Sequence, residues 1–179
     1  MSPFDKLREA ADSMRQNIKD QRFSPHIEQD VCGFIYYYWV NKYADDLKLI
    51  HLNARVNGYG DSRQHADFAY GEEGTSPQNR LWIERPLLVA EVKSFRGFTS
   101  DQKATRWRRL RGDIKKRLDG DIQKLLGPRL PEEVQRCAVV LNWDIGGDYL
   151  GDEHIKELRQ SAKGKVRMVL ISEREVEVY

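Results

Sequence analysis

The run from Pro86 to Phe95, PLLVAEVKSF, constrains this chain more than any other feature, because a strongly apolar extended segment carries two charges, Glu91 and Lys93. Successive side chains of a strand point to opposite faces, so Val89, Glu91 and Lys93 share one face while Leu88, Ala90 and Val92 share the other. A strand this apolar is expected to be covered on both sides, which makes it an interior strand of a sheet flanked by helices. Unpartnered charges buried there would cost several kcal/mol, on the order of what a whole domain has to spare. Two readings follow. The charges are compensated, a bound cation with a polyanionic substrate being one such partner, or this face of the strand is simply solvated.

The segments around this strand set the fold class. Ser2 and Pro3 read as a helix start, followed by Phe4, Leu7, Ala11, Met14 and Ile18 at helical spacing. Ser24-Pro25 predicts a second helix with Ile27, Val31, Ile35 and Tyr38 on one stripe, widened by Phe34, Tyr37 and Trp39. From Leu47 to Val56 the period changes to two, predicting a strand that ends in the turn Asn57 to Gly60. A second strand is expected over His65 to Tyr70, then a polar loop through Gly71 and Pro77, then the strand with Glu91 and Lys93. Trp107, Leu110, Ile114, Leu118, Ile122 and Leu125 step by three or four and predict a long helical zone, divisible at Gly112 and Gly120 and ended by Gly127-Pro128. A buried strand over Arg136 to Trp143, a helix over Asp152 to Ala162 and a strand over Val166 to Ser172 complete the order ααβββαβαβ. The expected class is α/β: one domain over residues 1–179, with an N-terminal helix in 1–22, a core in 24–143 and a C-terminal helix and strand in 144–179.

Charge adds a partner class. Lys and Arg exceed Asp and Glu by only two in the 179 residues, but from Arg96 to Arg117 nine basic residues meet two acids. Lys103, Arg106, Arg108, Arg109, Arg111, Lys115 and Lys116 are therefore candidates for contact with a polyanion, the alternative being a merely solvated helix face. No apolar stretch is long enough to span a bilayer and the start lacks the succession of a secretory signal, so a cytoplasmic protein without a membrane partner is expected. Cys32 and Cys137, each in an apolar run, read as buried reduced thiols, a disulfide being the alternative.

Asp67 gives the two charges of the apolar strand their meaning. It sits in HADFAY, on the strand expected beside Glu91, and two carboxylates converging at a sheet repel unless a hard cation joins them. A nearby ammonium, Lys93, would then orient or deprotonate water and stabilise charge developing on phosphorus. Phosphate-binding loops of the GxxxxGK[ST] type, dinucleotide fingerprints, nucleophile elbows and HExxH zinc motifs are absent, and the four histidines are dispersed.

Asp67, followed at a distance by Glu91-Val92-Lys93, resembles the PD-(D/E)XK motif of restriction-endonuclease-like nucleases, and the αβββαβ order over residues 24–143 resembles that superfamily's core. Ala66 stands where the motif name has Pro, and Asp61 competes for the first acidic position from nearer the turn. The resemblance implies a restriction-endonuclease-like fold with a mixed central sheet flanked by helices. It also implies Mg²⁺ or Mn²⁺ held by Asp67, Glu91 and the Val92 carbonyl, with Lys93 acting on water. Glu28 matches a further acid that many members carry on the helix before the meander, although the first turn of a helix favours an acid in any case. Gln123 and Lys124 match the residues often presented from the helix after it, against the alternative of a solvated face. The expected activity is hydrolysis of DNA phosphodiester bonds by an endonuclease, with a homodimer supplying two sites. A non-catalytic nucleic-acid-binding domain of the same fold and an RNA-directed nuclease are the alternatives.

Overall fold

The computed structural model describes residues 1–60, 64–75, 81–94, 104–143 and 150–179, with backbone alone for 81 and 104–114. Asp61, Lys103 and the side chains of Arg106, Arg108, Arg109 and Arg111 lie outside the described part.

The chain opens with α1 (Pro3–Lys19), whose first turn is closed by a capping box: the Ser2 hydroxyl accepts from the Asp5 amide, and the Asp5 carboxylate accepts from the Ser2 amide. Helix α2 (Glu28–Lys42) begins later than Ser24-Pro25 predicts. The Asp30 carboxylate accepts the backbone N–H groups of His26 and Ile27, and so the acid inside the first turn, rather than the serine before it, sets the start. Trp39 is fully buried, whereas Tyr37, expected to widen the apolar face, is 67% exposed.

Strands β1 (Ile50–Ala54), β2 (Ala66–Thr75) and β3 (Leu81–Ser94) form an antiparallel meander; β4 (Gln135–Leu141) and β5 (Arg167–Ile171) continue it in parallel, and β6 (Val176–Val178) closes the order antiparallel to β5. The helices α3 (Ala104–Leu125) and α4 (Asp152–Ala162) lie between β3 and β4 and between β4 and β5. The expected order ααβββαβαβ stands with two additions, a single 3-10 turn over Ala44–Asp46 before β1 and the strand β6. Helix α3 runs unbroken through Gly112 and Gly120, and the space beside Gly120 is open, so the glycine weakens the helix there without interrupting it.

Of the segment expected as a polar loop through Gly71 and Pro77, residues 71–75 are instead the distal half of β2, paired with the first residues of β3, and Pro77 lies outside the described residues. Irregularities in the register at Tyr70/Gly71 and Glu72/Glu73 bend this hairpin. Gly71 is required where it is, because a Cβ there would lie 2.4 Å from the Arg85 carbonyl oxygen. The bent hairpin brings Ile83 against the segment after β1, where the Ile83 amide donates to Arg55 and the Asn57 amide donates to Ile83 at 2.8 and 2.9 Å.

Alternation along the strands sorts the interior into two layers. Phe68, Leu88, Ala90, Val92, Cys137, Val139 and Val169 pack with α1 and α2, while Ala69, Val89, Ala138, Val140 and Leu170 pack with α3 and α4. Glu91 and Lys93 belong by parity to the α3 side, as the two-residue period predicts. The molecule is thus a mixed α/β arrangement of a six-stranded sheet between two helical layers. Among the described residues no helix is long and apolar enough to cross a membrane. Cys32 and Cys137 are buried and unpaired with each other.

Candidate active site at the end of the third strand

Glu91 is only 3% exposed, and it lies in β3 between β2 and β4, paired with Ala138 of β4 and one residue past the Phe68–Ala90 pair with β2. Antiparallel pairing of Phe68 with Ala90, carried one residue further, sets Asp67 across from Glu91. Because Phe68 faces the α1 and α2 layer, half-buried Asp67 faces the α3 side with Glu91. The Asp67 Oδ2 accepts the backbone N–H of Val92 at 2.8 Å, which fixes the acid to the very strand that carries the other two residues.

Lys93 extends from the same strand into a cage of acids. Its Nζ lies 3.0 Å from Asp121 Oδ2 and 3.3 Å from Glu28 Oε2, and Lys124 Nζ lies 2.6 Å from the other Asp121 oxygen. Glu28 is thereby brought from the first turn of α2 to the site, 65 residues upstream of Lys93. Lys124, named from the sequence, also reaches it. Gln123 does not occupy the expected position: it is exposed, and Asp121, 4% exposed, fills the place facing the sheet. One step of a helix turns the side chain by about 100°, and the acid beside Ile122 points inward where Gln123 points out.

Two participants were not legible in advance. Asp121 precedes the inward-facing Ile122, so its apolar neighbour was the only hint of its direction. Tyr59 falls within the expected turn Asn57 to Gly60, yet it is 3% exposed and its phenol donates to Glu91 Oε1 across 32 residues of sequence.

The electrostatics are lopsided. Four carboxyl groups, Glu28, Asp67, Glu91 and Asp121, meet two ammonium groups, Lys93 and Lys124, leaving an excess of two negative charges when all are ionised. Burial, reinforced by the Asp121 charge and opposed by Lys124 and Lys93, pushes the Glu91 carboxyl up to about 7. Burial also raises Glu28 and Asp67, against Lys93 in the first case and the Val92 N–H in the second. Burial disfavours charge on Lys93, but Asp121 and Glu28 outweigh it and hold this ammonium above the ordinary lysine range. Even Cys32, behind the site in the opposite layer, is pushed up to about 12, by burial and then by the charges of Asp67, Glu28 and Glu91.

The donor set suits a hard divalent ion. Among the described residues Asp67 Oδ1 and Glu91 Oε2 receive no hydrogen bond, whereas the other oxygen of each is bonded. No group of three or more His, Cys, Asp and Glu side chains among the described residues is gathered closely enough to enclose an ion. Magnesium does not require such a cage, since it is commonly held by one or two carboxylates with waters and phosphate oxygens.

Of the basic residues on α3, Lys116 is exposed, while Lys115 is paired with Glu157 of α4 and so is partly neutralised. His26 is exposed, and its backbone N–H donates to Asp30. A cleft of about 920 Å³ lies between α4 and β5–β6, lined by Ile155, Arg159, Met168 and Tyr179 among others, and none of the acids that surround Lys93 lines it. Comparison with known proteins finds no matching family model, no matching curated protein and no matching solved structure.

Proposed function

We propose that the chain is a restriction-endonuclease-like, metal-dependent nuclease that hydrolyses phosphodiester bonds of DNA, with Asp67 and Glu91 as metal ligands and Lys93 beside them. The observation that carries this reading is the gathering of Asp67, Glu91, Lys93, Glu28 and Asp121 at one end of β3, with the acids in excess. A carboxyl held well above its ordinary range beside a specific cation, as Glu91 is, is characteristic of functional sites, because a fold gains nothing in stability from leaving it so. Mg²⁺ or Mn²⁺, when bound, would polarise a phosphoryl oxygen and lower the pKa of a bound water. The Val92 carbonyl, on the strand between the two reacting side chains, is the third ligand of this reading.

The remaining steps belong to the chain. Lys93, held protonated, donates a hydrogen bond to the attacking water or to a phosphoryl oxygen as negative charge develops there. Asp121 and Glu28 keep its ammonium directed into the site, since each lies within 3.3 Å of it. Lys116 and the basic residues earlier in α3 supply sequence-independent contact with the phosphate backbone, a type of contact that gives affinity rather than sequence reading. One site cuts one strand, so cleavage of a duplex calls for a homodimer or for two successive cuts. Two free buried thiols accord with a reducing, cytoplasmic setting.

The test is cleavage of plasmid, linear and single-stranded DNA by the purified protein with Mg²⁺, Mn²⁺ or EDTA, alongside Glu91→Ala and Lys93→Ala. Metal-dependent cutting that both substitutions abolish is expected. Cutting that survives both would overturn the assignment, and binding of DNA without cutting under any metal would favour a non-catalytic module. RNA offered in the same series tests the choice of substrate.

A further inference from the structure

We propose that Tyr59 is a positioning residue of this site: its phenol engages one oxygen of the Glu91 carboxylate and so reserves the other for a divalent cation. The inference rests on the reading of Asp67 and Glu91 as metal ligands.

Tyr59 arrives from the loop after β1, and that loop is fastened unusually well for a connection. The Ile83 amide donates to the Arg55 carbonyl, the Asn57 amide to the Ile83 carbonyl, and the Tyr59 amide to the Val56 carbonyl at 3.2 Å. Gly58, at φ +81°, lies so close to the connection after α3 that a Cβ would stand 2.3 Å from the Arg129 carbonyl oxygen. Backbone meets backbone there, and neither can give way cheaply. The tyrosine ring belongs to the same apolar cluster as Val89, Leu118, Ile122 and Leu130, so its hydroxyl is carried on a ring that packing holds in place.

A glutamate has three side-chain torsions, and a metal ligand that must be ordered on binding loses affinity by that ordering. The phenol removes this freedom before any ion arrives. Asp67 is prepared in the same manner by the Val92 N–H, so each candidate ligand has one oxygen tied by the chain and one that receives no hydrogen bond among the described residues. A purely structural role for Tyr59 would be to satisfy a buried acid. That role predicts an effect on folding stability and none on the affinity of the folded protein for an ion.

The experiment is titration of Mn²⁺ into the full chain, followed by electron paramagnetic resonance of the free ion, for wild type, Tyr59→Phe, Gly58→Ala and Glu91→Ala. It is run well below the melting temperature of each and on samples shown folded by circular dichroism. Tyr59→Phe is expected to weaken Mn²⁺ binding by about 10- to 100-fold, the usual cost of losing a group that orients a ligand. Gly58→Ala keeps the phenol but displaces the loop, and it is expected to weaken binding likewise. Undiminished affinity in Tyr59→Phe overturns the positioning role while leaving the metal site intact. A wild type that binds no Mn²⁺, or binding that survives Glu91→Ala, overturns the metal reading and this inference with it. If neither loop variant folds, the wild type decides alone: spectroscopically silent Mg²⁺ is expected to perturb its tyrosine ultraviolet difference spectrum, and an unchanged spectrum overturns the proposal.

Discussion

Asp46 and Glu91 are both buried carboxyl groups, one against the helices of the first layer and one against α3, and the fold treats them oppositely. Asp46 accepts from the Lys6 ammonium, from the Trp39 indole at 2.7 Å and from the Tyr70 phenol at 3.0 Å. Burial works against its charge, but those donors outweigh it and hold the carboxyl below the usual range. Glu91 has one donor from the described side chains, Tyr59, and three acids for company, and it is pushed up to about 7. A buried acid that the chain satisfies by itself is structural. One that the chain leaves wanting a cation is where chemistry is to be sought.

That contrast fixes the order of the experiments that would break it. The largest effect expected is on turnover: Glu91→Ala should lower metal-dependent DNA cleavage by about a thousandfold or more, the scale associated with removing a charge-stabilising group from an active site. Asp46→Ala should leave cleavage by the folded protein near wild type but destabilise it by about 3–5 kcal/mol, because the ammonium and two hydrogen-bond donors lose their common acceptor. Urea denaturation measures the second effect. Comparable loss of turnover in both variants would erase the distinction between the two acids.

Smaller in size but opposite in sign is Glu91→Gln, expected to stabilise the metal-free protein by about 1–3 kcal/mol above pH 7. The sign follows from linkage. The Glu91 carboxyl is raised from 4.5 to about 7, so the penalty is absent below its unfolded value, grows as pH rises between the two and is complete above the folded one. Asp46 behaves in the reverse sense: its depressed pKa contributes stability above 3.8 that is lost as pH falls through the folded value. Denaturation at pH 3, 5 and 8 should therefore show Asp46→Asn losing its disadvantage in acid and Glu91→Gln gaining its advantage in base. The smallest effect expected belongs to the exposed surface. Lys116→Ala should reduce the salt dependence of DNA binding by about one counterion, read as the slope of log affinity against log salt.

Much of this contrast can be read from sequence, and where it cannot the reason is physical. The alternation in PLLVAEVKSF sent Glu91 and Lys93 to one face, and Asp67 to a position opposite, because a two-residue period leaves no other choice once the strands pair. The long helix gave a coarser answer. Its stripe identifies Leu118, Ile122 and Leu125 as inward, yet the flanking positions differ by a rotation that periodicity alone cannot resolve, and Asp121 rather than Gln123 turned out to face Lys93. The distal half of β2 escaped notice because Gly71 and Gly74 resemble loop residues; a glycine is needed at the first because Arg85 comes so close. Strand β6 has three residues, none of them buried, and so carries no apolar pattern to read. Tyr59 was out of reach of any local argument, since a turn does not announce which distant acid its side chain will meet.

The position of Glu91 and Lys93 on an inner strand has a consequence for how the cluster of charges assembles. Apart from the one-turn pair Lys124–Asp121, the partnerships of the site are long-range: Tyr59 to Glu91, Asp67 to Val92, Lys93 to Glu28 and to Asp121. The first two need the meander in register, and the last two need α2 and α3 docked against the sheet as well. A slip of one residue in β3 would turn both side chains into the opposite layer. Amide protons of β3 should accordingly be among the slowest to exchange, and, on the proposed nuclease reading, recovery of cleavage during refolding should lag recovery of helical signal.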